Sequence, residues 1–133
     1  MSFLLDTDTC IYALKQKRTV LERLLAHSRA DIAVSVITEA ELRTGAAKST
    51  AAAKSGRLID NFLRPLTVVE FTSSDAATYA QIRAKLERAG TPIGPLDTLI
   101  AAQAVARRLT LVSNNEREFG RVPGLAIENW ARE

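Results

Sequence analysis

The chain has 133 residues, 47% of them apolar and 25% charged, values that exclude disordered and coiled-coil classes and fit one compact domain over residues 1–133. One cysteine, Cys10, and one histidine, His27, exclude an intrachain disulfide and any Cys-rich or multi-histidine metal site. A net charge of +3 with a pI near 9.4 permits a polyanionic partner without requiring one.

In chain order, Phe3 to Leu5 is a short apolar run ending at Asp6. Thr-Asp-Thr follows, and then Ile11 and Leu14 at helical spacing, which together predict a strand-to-helix turn capped by Asp8 or Thr9. No apolar run reaches the roughly 18–20 residues of a membrane span. The opening Met1–Asp6 is too short and acidic for a signal peptide, so a cytoplasmic protein is expected. Val20, Leu21, Leu24 and Leu25 form an apolar helical stripe. Ile32–Val34 reads as a second strand entering a helix near Val36–Ala47, with Gly45 towards its end. The Ala- and Lys-rich stretch from Ser49 to Arg64 is helical in pattern, and Thr67–Phe71 is β-rich after Pro65. Ser73 or Ser74 is expected to cap a helix through Ala76, Tyr79, Ile82 and Leu86 that Gly90 ends. After a Pro/Gly loop, Pro95 suits the first turn of a helix running to about Arg108. Leu109–Val112 is a fourth strand, Ser113–Gly120 a polar turn with a short helix, and Leu125–Ile127 an edge strand. This alternation predicts an α/β fold: a three-layer α/β/α sandwich around a central parallel sheet. Sites in such sheets form in the crevice beyond the carboxyl ends of the strands.

Three acids stand at or near those ends. Asp6 directly follows the first strand. Asp97 shares a helix face with Ile100, Ala101 and Ala104, so it points where apolar side chains point, and no Lys or Arg joins that face before Arg108. Glu41 lies mid-helix beside Ile37, Thr38, Thr44 and Gly45; Glu39 projects elsewhere. Structural roles for these acids, as turn formers, helix N-terminal charges or surface residues, stay open at this point. Converging from separate strand-to-helix junctions, the three would need a cation to stay ionised together, and Mg²⁺ or Mn²⁺ prefers such oxygens. After the fourth strand come Ser113, Asn114, Asn115, Glu116, Arg117 and Glu118, of which Asn115 or Glu118 could complete the set. A carboxylate-held metal suits phosphodiester hydrolysis. No GxSxG elbow, P-loop or GxGxxG competes; Cys10 reads as a core thiol, His27 as an exposed helix residue and Trp130 as packing. Basic groups (Lys15, Lys17 and Arg18; Lys48, Lys54 and Arg57; Arg83, Lys85 and Arg88; Arg107 and Arg108; Arg117 and Arg121) recur along the chain.

Four segments, LLDTDTCIYALK, VSVITEAELRTGAAKS, GTPIGPLDTLIAAQA and LVSNNEREFGRVPGLAIENW, together resemble the VapC toxins, PIN-domain ribonucleases of bacterial toxin–antitoxin pairs. The resemblance spans nearly the whole chain. It implies the PIN sandwich, and it places Asp6, Glu41 and Asp97 at the acidic positions that gather Mg²⁺ or Mn²⁺, with Asp6 and Asp97 as direct ligands. It further implies a homodimer neutralised by a VapB-like antitoxin, and an RNA substrate such as transfer RNA, in this branch initiator transfer RNA. Two positions depart from the family pattern. Asn115 stands where many PIN domains carry a fourth acid, which either weakens that role or passes it to Glu118, and Asp8 stands where this branch often has Asn.

Two rivals follow from the same residues. Asp6-Thr-Asp8-Thr9 fits the DxDxT opening of haloacid-dehalogenase-type phosphatases, with Asp6 as nucleophile and Asp8 as acid/base, although Ser113-Asn114-Asn115 lacks the late acidic pair of that chemistry. A non-catalytic PIN-like module for RNA or protein binding is the other.

Overall fold

A computed structural model describes residues 1–133. Five strands, β1 (Phe3–Leu5), β2 (Ile32–Ser35), β3 (Thr67–Val69), β4 (Thr110–Val112) and β5 (Ile127–Glu128), form one sheet in the order β3-β2-β1-β4-β5. Every pairing is parallel, with Leu4 opposite Ala33 and Leu111, and Leu5 opposite Val34 and Val112. Seven helices connect them: α1 (Thr7–Leu14), α2 (Arg18–Leu25), α3 (Val36–Lys48), α4 (Ala52–Leu63), α5 (Ser73–Arg88), α6 (Pro95–Arg107) and the short α7 (Glu116–Phe119). None is long and apolar enough to cross a membrane.

Side chains alternate across a strand, and here the alternation divides the interior in two. Leu4, Ala33 and Leu111 face a core completed by Ile82, Leu86, Ile100, Ala104 and Phe119 from α5, α6 and α7. Leu5, Val34 and Val112 face the other side, against Cys10, Val20, Leu42, Ile59 and Trp130. Both faces of the sheet are thus covered, which is why its strands read as unbroken apolar runs and why the three-layer sandwich holds.

Several local expectations are corrected. The cap of α1 is neither Asp8 nor Thr9 but Asp6, whose Oδ1 accepts from the Thr9 backbone N–H at 2.8 Å. β1 stops at Leu5, so Asp6 is the residue with extended backbone just outside the helix. The cap of α5 is Thr72 rather than Ser73 or Ser74, in a reciprocal box with Asp75. Leu25 leaves the apolar stripe and is exposed, and the last strand lies at Ile127–Glu128 rather than Leu125–Ile127. His27 is not on a helix: it follows α2 and stacks on Trp130, ring centroids 5.2 Å apart and planes 10° from parallel. Cys10 and Trp130 are core residues as expected. Gly90 (φ +71°) ends α5, and Pro95 opens α6.

Trp130 is 1% exposed and also meets Phe3 edge-on at 5.3 Å, so it anchors the carboxyl-terminal segment on the sheet. Trp130→Ala is expected to cost about 3–5 kcal/mol, read from urea unfolding. A cost below about 1 kcal/mol would show that the ring is not a core anchor.

Candidate active site

The sheet order changes direction between β1 and β4, since β2 and β3 extend from one side of β1 while β4 and β5 extend from the other. A crevice opens at the carboxyl ends of those two strands. Asp6 leaves β1 into it and Ser113 leaves β4 into it, and they are tied by Asp6 N–H donating to the Val112 carbonyl at 3.0 Å. The Thr9 hydroxyl donates to the same carbonyl at 3.0 Å.

A polar pocket of about 480 Å³ lies there, lined by Asp6, Thr7, Asp8, Glu41, Asp97, Asn115 and Phe119. The fold therefore brings Asp6, Glu41, Asp97 and Asn115 to one place from four separate parts of the chain. Glu118 does not line the pocket; its Oε2 accepts from Asn115 Nδ2 at 2.9 Å. The two residues between which the fourth place was open thus act as a pair, with the amide at the pocket and the carboxylate behind it. Asp8 also faces the pocket. As they stand, no three of these acids are near enough to enclose an ion; like charges spread apart unless something neutralises them.

Asp6 is 3% exposed. Burial raises its carboxyl above the usual range, opposed by hydrogen bonds from Ser113 and Thr9, with Asp8 adding a small upward push. Asp97, in the first turn of α6, is pushed up to about 6, first by burial and then by the charges of Asp6, Glu41, Glu118 and Asp8. The helix N-terminus favours a negative charge at that position, yet burial and four neighbouring acids outweigh it. Glu41 is held by the Thr7 hydroxyl, which donates to its Oε1 at 2.7 Å, with the Thr38 hydroxyl 3.0 Å from the same Thr7 oxygen. Glu39 points away and pairs with Arg43.

Thr7 and Phe119 line this pocket and were not foreseen; Ser113, expected at this end of the sheet, is buried behind it beside Asp6, a role that was not foreseen. The only signal for Thr7 was its place beside a strand-end aspartate. Ser113 could be recognised only once β4 was known to lie beside β1.

The donor set is four carboxylates and an amide oxygen with no soft ligand, which fits a hard divalent cation such as Mg²⁺ or Mn²⁺. A PIN-domain family model matches residues 3–125. The chain belongs to the PIN-domain family. Within it, the VapC branch is the one it resembles in detail. It is 40% identical over 130 residues to the tRNA(fMet)-specific endonuclease VapC of Salmonella typhimurium, covering 98% of each chain. It is 39% identical over 132 residues to ribonuclease VapC2 of Rickettsia felis, again covering 98% of each. Among solved structures, the chain superposes on one of the Rickettsia felis VapBC2 complex bound to a promoter DNA fragment, with TM-score 0.92 at 37% identity, covering 98% of this chain and 99% of that one. It superposes equally on one of the DNA-bound Salmonella typhimurium VapBC complex, with TM-score 0.93 at 41% identity, covering 98% of each. The chain is thus a VapC-type PIN domain, and nucleases of that family generally depend on a divalent metal. The haloacid-dehalogenase reading is set aside by this assignment, in keeping with the missing acidic pair after β4.

Proposed function

We propose that residues 1–133 act as one domain, the toxin of a VapBC-like pair: a cytoplasmic, Mg²⁺- or Mn²⁺-dependent endoribonuclease that cuts transfer RNA. Initiator transfer RNA is the first substrate to test. The observation that carries this reading is the convergence of Asp6, Asp8, Glu41 and Asp97 on one pocket with the Asn115 amide, an accumulation of negative charge that a cation would relieve.

Asp6 and Asp97 would hold the ion directly and Glu41 would complete the set. The ion would neutralise charge on the scissile phosphate and lower the pKa of a bound water. The remaining work falls to the chain itself. Ser113 and the Thr9 N–H aim the Asp6 carboxylate, and Thr7 fixes Glu41. Asn115 presents its amide at the pocket while orienting Glu118, so the fourth place is a neutral residue backed by an acid. Phe119 supplies the one apolar wall. A VapB-like antitoxin, as in the VapBC complexes, is one partner this reading proposes, and a second copy of the chain, implied by the family resemblance alone, is the other.

Incubation of antitoxin-free protein with a transfer RNA pool is expected to give discrete fragments in Mg²⁺ or Mn²⁺ and none in excess chelator. Intact RNA under both conditions would favour the non-catalytic module instead.

A further inference from the structure

An acidic pocket repels the polyanion it is proposed to cut, so cations must compensate nearby. The turn between α1 and α2 supplies them. Asp8, at the pocket, shares a face of α1 with Tyr12 one turn on, and Lys15 caps the carboxyl end of the same helix. Lys15 thus lies about 10 Å along the helix from Asp8. Lys15, Gln16 and Lys17 are all exposed, and Tyr12 is half-buried. Lys17 Nζ sits 5.8 Å from the Tyr12 ring centroid, within cation–π range. The Tyr12 hydroxyl is 3.4 Å from Asn114 Nδ2, next in sequence to the pocket residue Asn115. A continuous strip therefore runs from the pocket through Asn114 and Tyr12 to the two lysines.

Two further features bear on the strip. Like the chain's other lysines, Lys15 and Lys17 take part in no salt bridge, so both charges stay available to an anionic partner. Gln16 adopts φ 61° just past the end of α1, where the Gln16 N–H donates to the Ala13 carbonyl at 3.0 Å and the Lys17 N–H to the Tyr12 carbonyl at 2.9 Å. Glycine normally takes that left-handed position without strain. Here the turn holds a third long polar side chain at the surface instead.

We infer that Tyr12, Lys15 and Lys17 form a docking strip for the RNA backbone flanking the scissile phosphate. The inference deepens the ribonuclease reading and rests on it for the identity of the occupant. Lys17, held over the aromatic ring, and Lys15 each meet a phosphate, and the exposed part of Tyr12 offers a surface for a base. None of the three touches the reacting atoms; they are positioning residues.

The test compares wild type with Lys15→Ala/Lys17→Ala and with Tyr12→Leu, each checked for an unchanged melting temperature. Binding of a transfer RNA pool is measured by fluorescence anisotropy in chelator across a salt series, and cleavage in Mg²⁺ as separate kcat and KM. The double variant is expected to bind at least about 10-fold more weakly, with its log–log salt slope shallower by about 1.4, the loss of two single-strand phosphate contacts. Its KM should rise in step while kcat stays within about 2-fold. Tyr12→Leu should weaken binding about 5-fold or more. Equal affinity and an equal slope in wild type and double variant would overturn the inference. So would no RNA binding by wild type, or loss of antitoxin binding with RNA binding intact. Weakened binding in the variants without any cleavage by wild type would leave the strip standing and fell the ribonuclease reading instead.

Discussion

Asp97→Asn is expected to abolish RNA cleavage, lowering kcat by on the order of 100-fold or more, since even outer-shell partners of metal ligands cost 10–100-fold. It should do so while making the metal-free protein more stable at neutral pH. The Asp97 carboxyl is pushed up from its ordinary 3.8 to about 6, so the fold favours its protonated form. Stability from that preference is complete below about pH 4 and is lost as pH rises through about 6. Above about pH 6 the wild-type protein therefore carries an unfavourable, partly desolvated charge that the amide variant lacks, and thermal melts in chelator should show the variant melting higher at about pH 7.5. At about pH 4 the two should melt alike. Protons and the metal compete for the same carboxylate, so wild-type cleavage should fall as pH drops below about 6 and recover in part with more Mg²⁺. A variant that retained activity, or that melted lower at neutral pH, would remove Asp97 from the proposed metal set.

The second large effect concerns stability alone. Asp75 is 1% exposed, and its two oxygens are fully engaged. Oδ1 pairs with Arg107 Nη1 and Oδ2 accepts from the Thr72 N–H at 2.8 Å. Arg107 Nη2 also donates to the Glu70 carbonyl at 3.0 Å, so this group fastens the end of α6 to the segment between β3 and α5. Burial alone would raise the Asp75 carboxyl, but the Arg107 hydrogen bond, the Thr72 N–H and the Arg107 charge together hold it below its ordinary value. Arg107→Ala would leave a buried carboxylate unpaired, at an expected cost of about 3–5 kcal/mol. That is a large share of the roughly 5–15 kcal/mol that holds a domain folded. A depressed carboxyl contributes stability above its unfolded pKa and loses it as pH falls through the folded one. Acid unfolding of Arg107→Ala should therefore begin at a higher pH than in wild type. Asp75→Asn in the same chain should restore part of the loss, because it removes the stranded charge and keeps the capping oxygen. A cost below about 1 kcal/mol in urea would place the pair among surface ion pairs of little consequence.

A third buried group works in the same region without charge. Ser35 caps α3, accepting from the Ile37 N–H at 3.0 Å, and its hydroxyl donates to Gln103 Oε1. Gln103 Nε2 in turn donates to the Val69 and Glu70 carbonyls at 3.3 and 3.2 Å. This chain of bonds links β2, α6 and the end of β3, and so holds α6, which carries Asp97, against the helix that carries Glu41.

Much of this was legible in the residues alone because it depends on local chemistry. Apolar runs at Phe3–Leu5, Ile32–Val34 and Leu109–Val112 between helical patterns imply a parallel sheet covered on both faces. Gly90 and Pro95 mark helix ends through their own backbone preferences. Asp97 on an apolar helix face and Asp6 at a strand end predicted carboxylates turned into the crevice, and both line one pocket there. What only the tertiary structure decided is which partner each side chain takes, since that depends on elements far apart in the chain. Asp6 and Asp8 are equally good capping residues by type, and the choice fell to Asp6 because pairing with β2 and β4 ends β1 at Leu5. Thr72 displaced two serines as the cap of α5 because Asp75, held by Arg107 from another helix, completes the box. Glu41, whose surroundings in sequence were ambiguous, became part of the pocket through a hydroxyl on α1. Asn115 and Glu118, alternatives for one place when read along the chain, are hydrogen-bonded partners, with Asn115 at the pocket and Glu118 behind it.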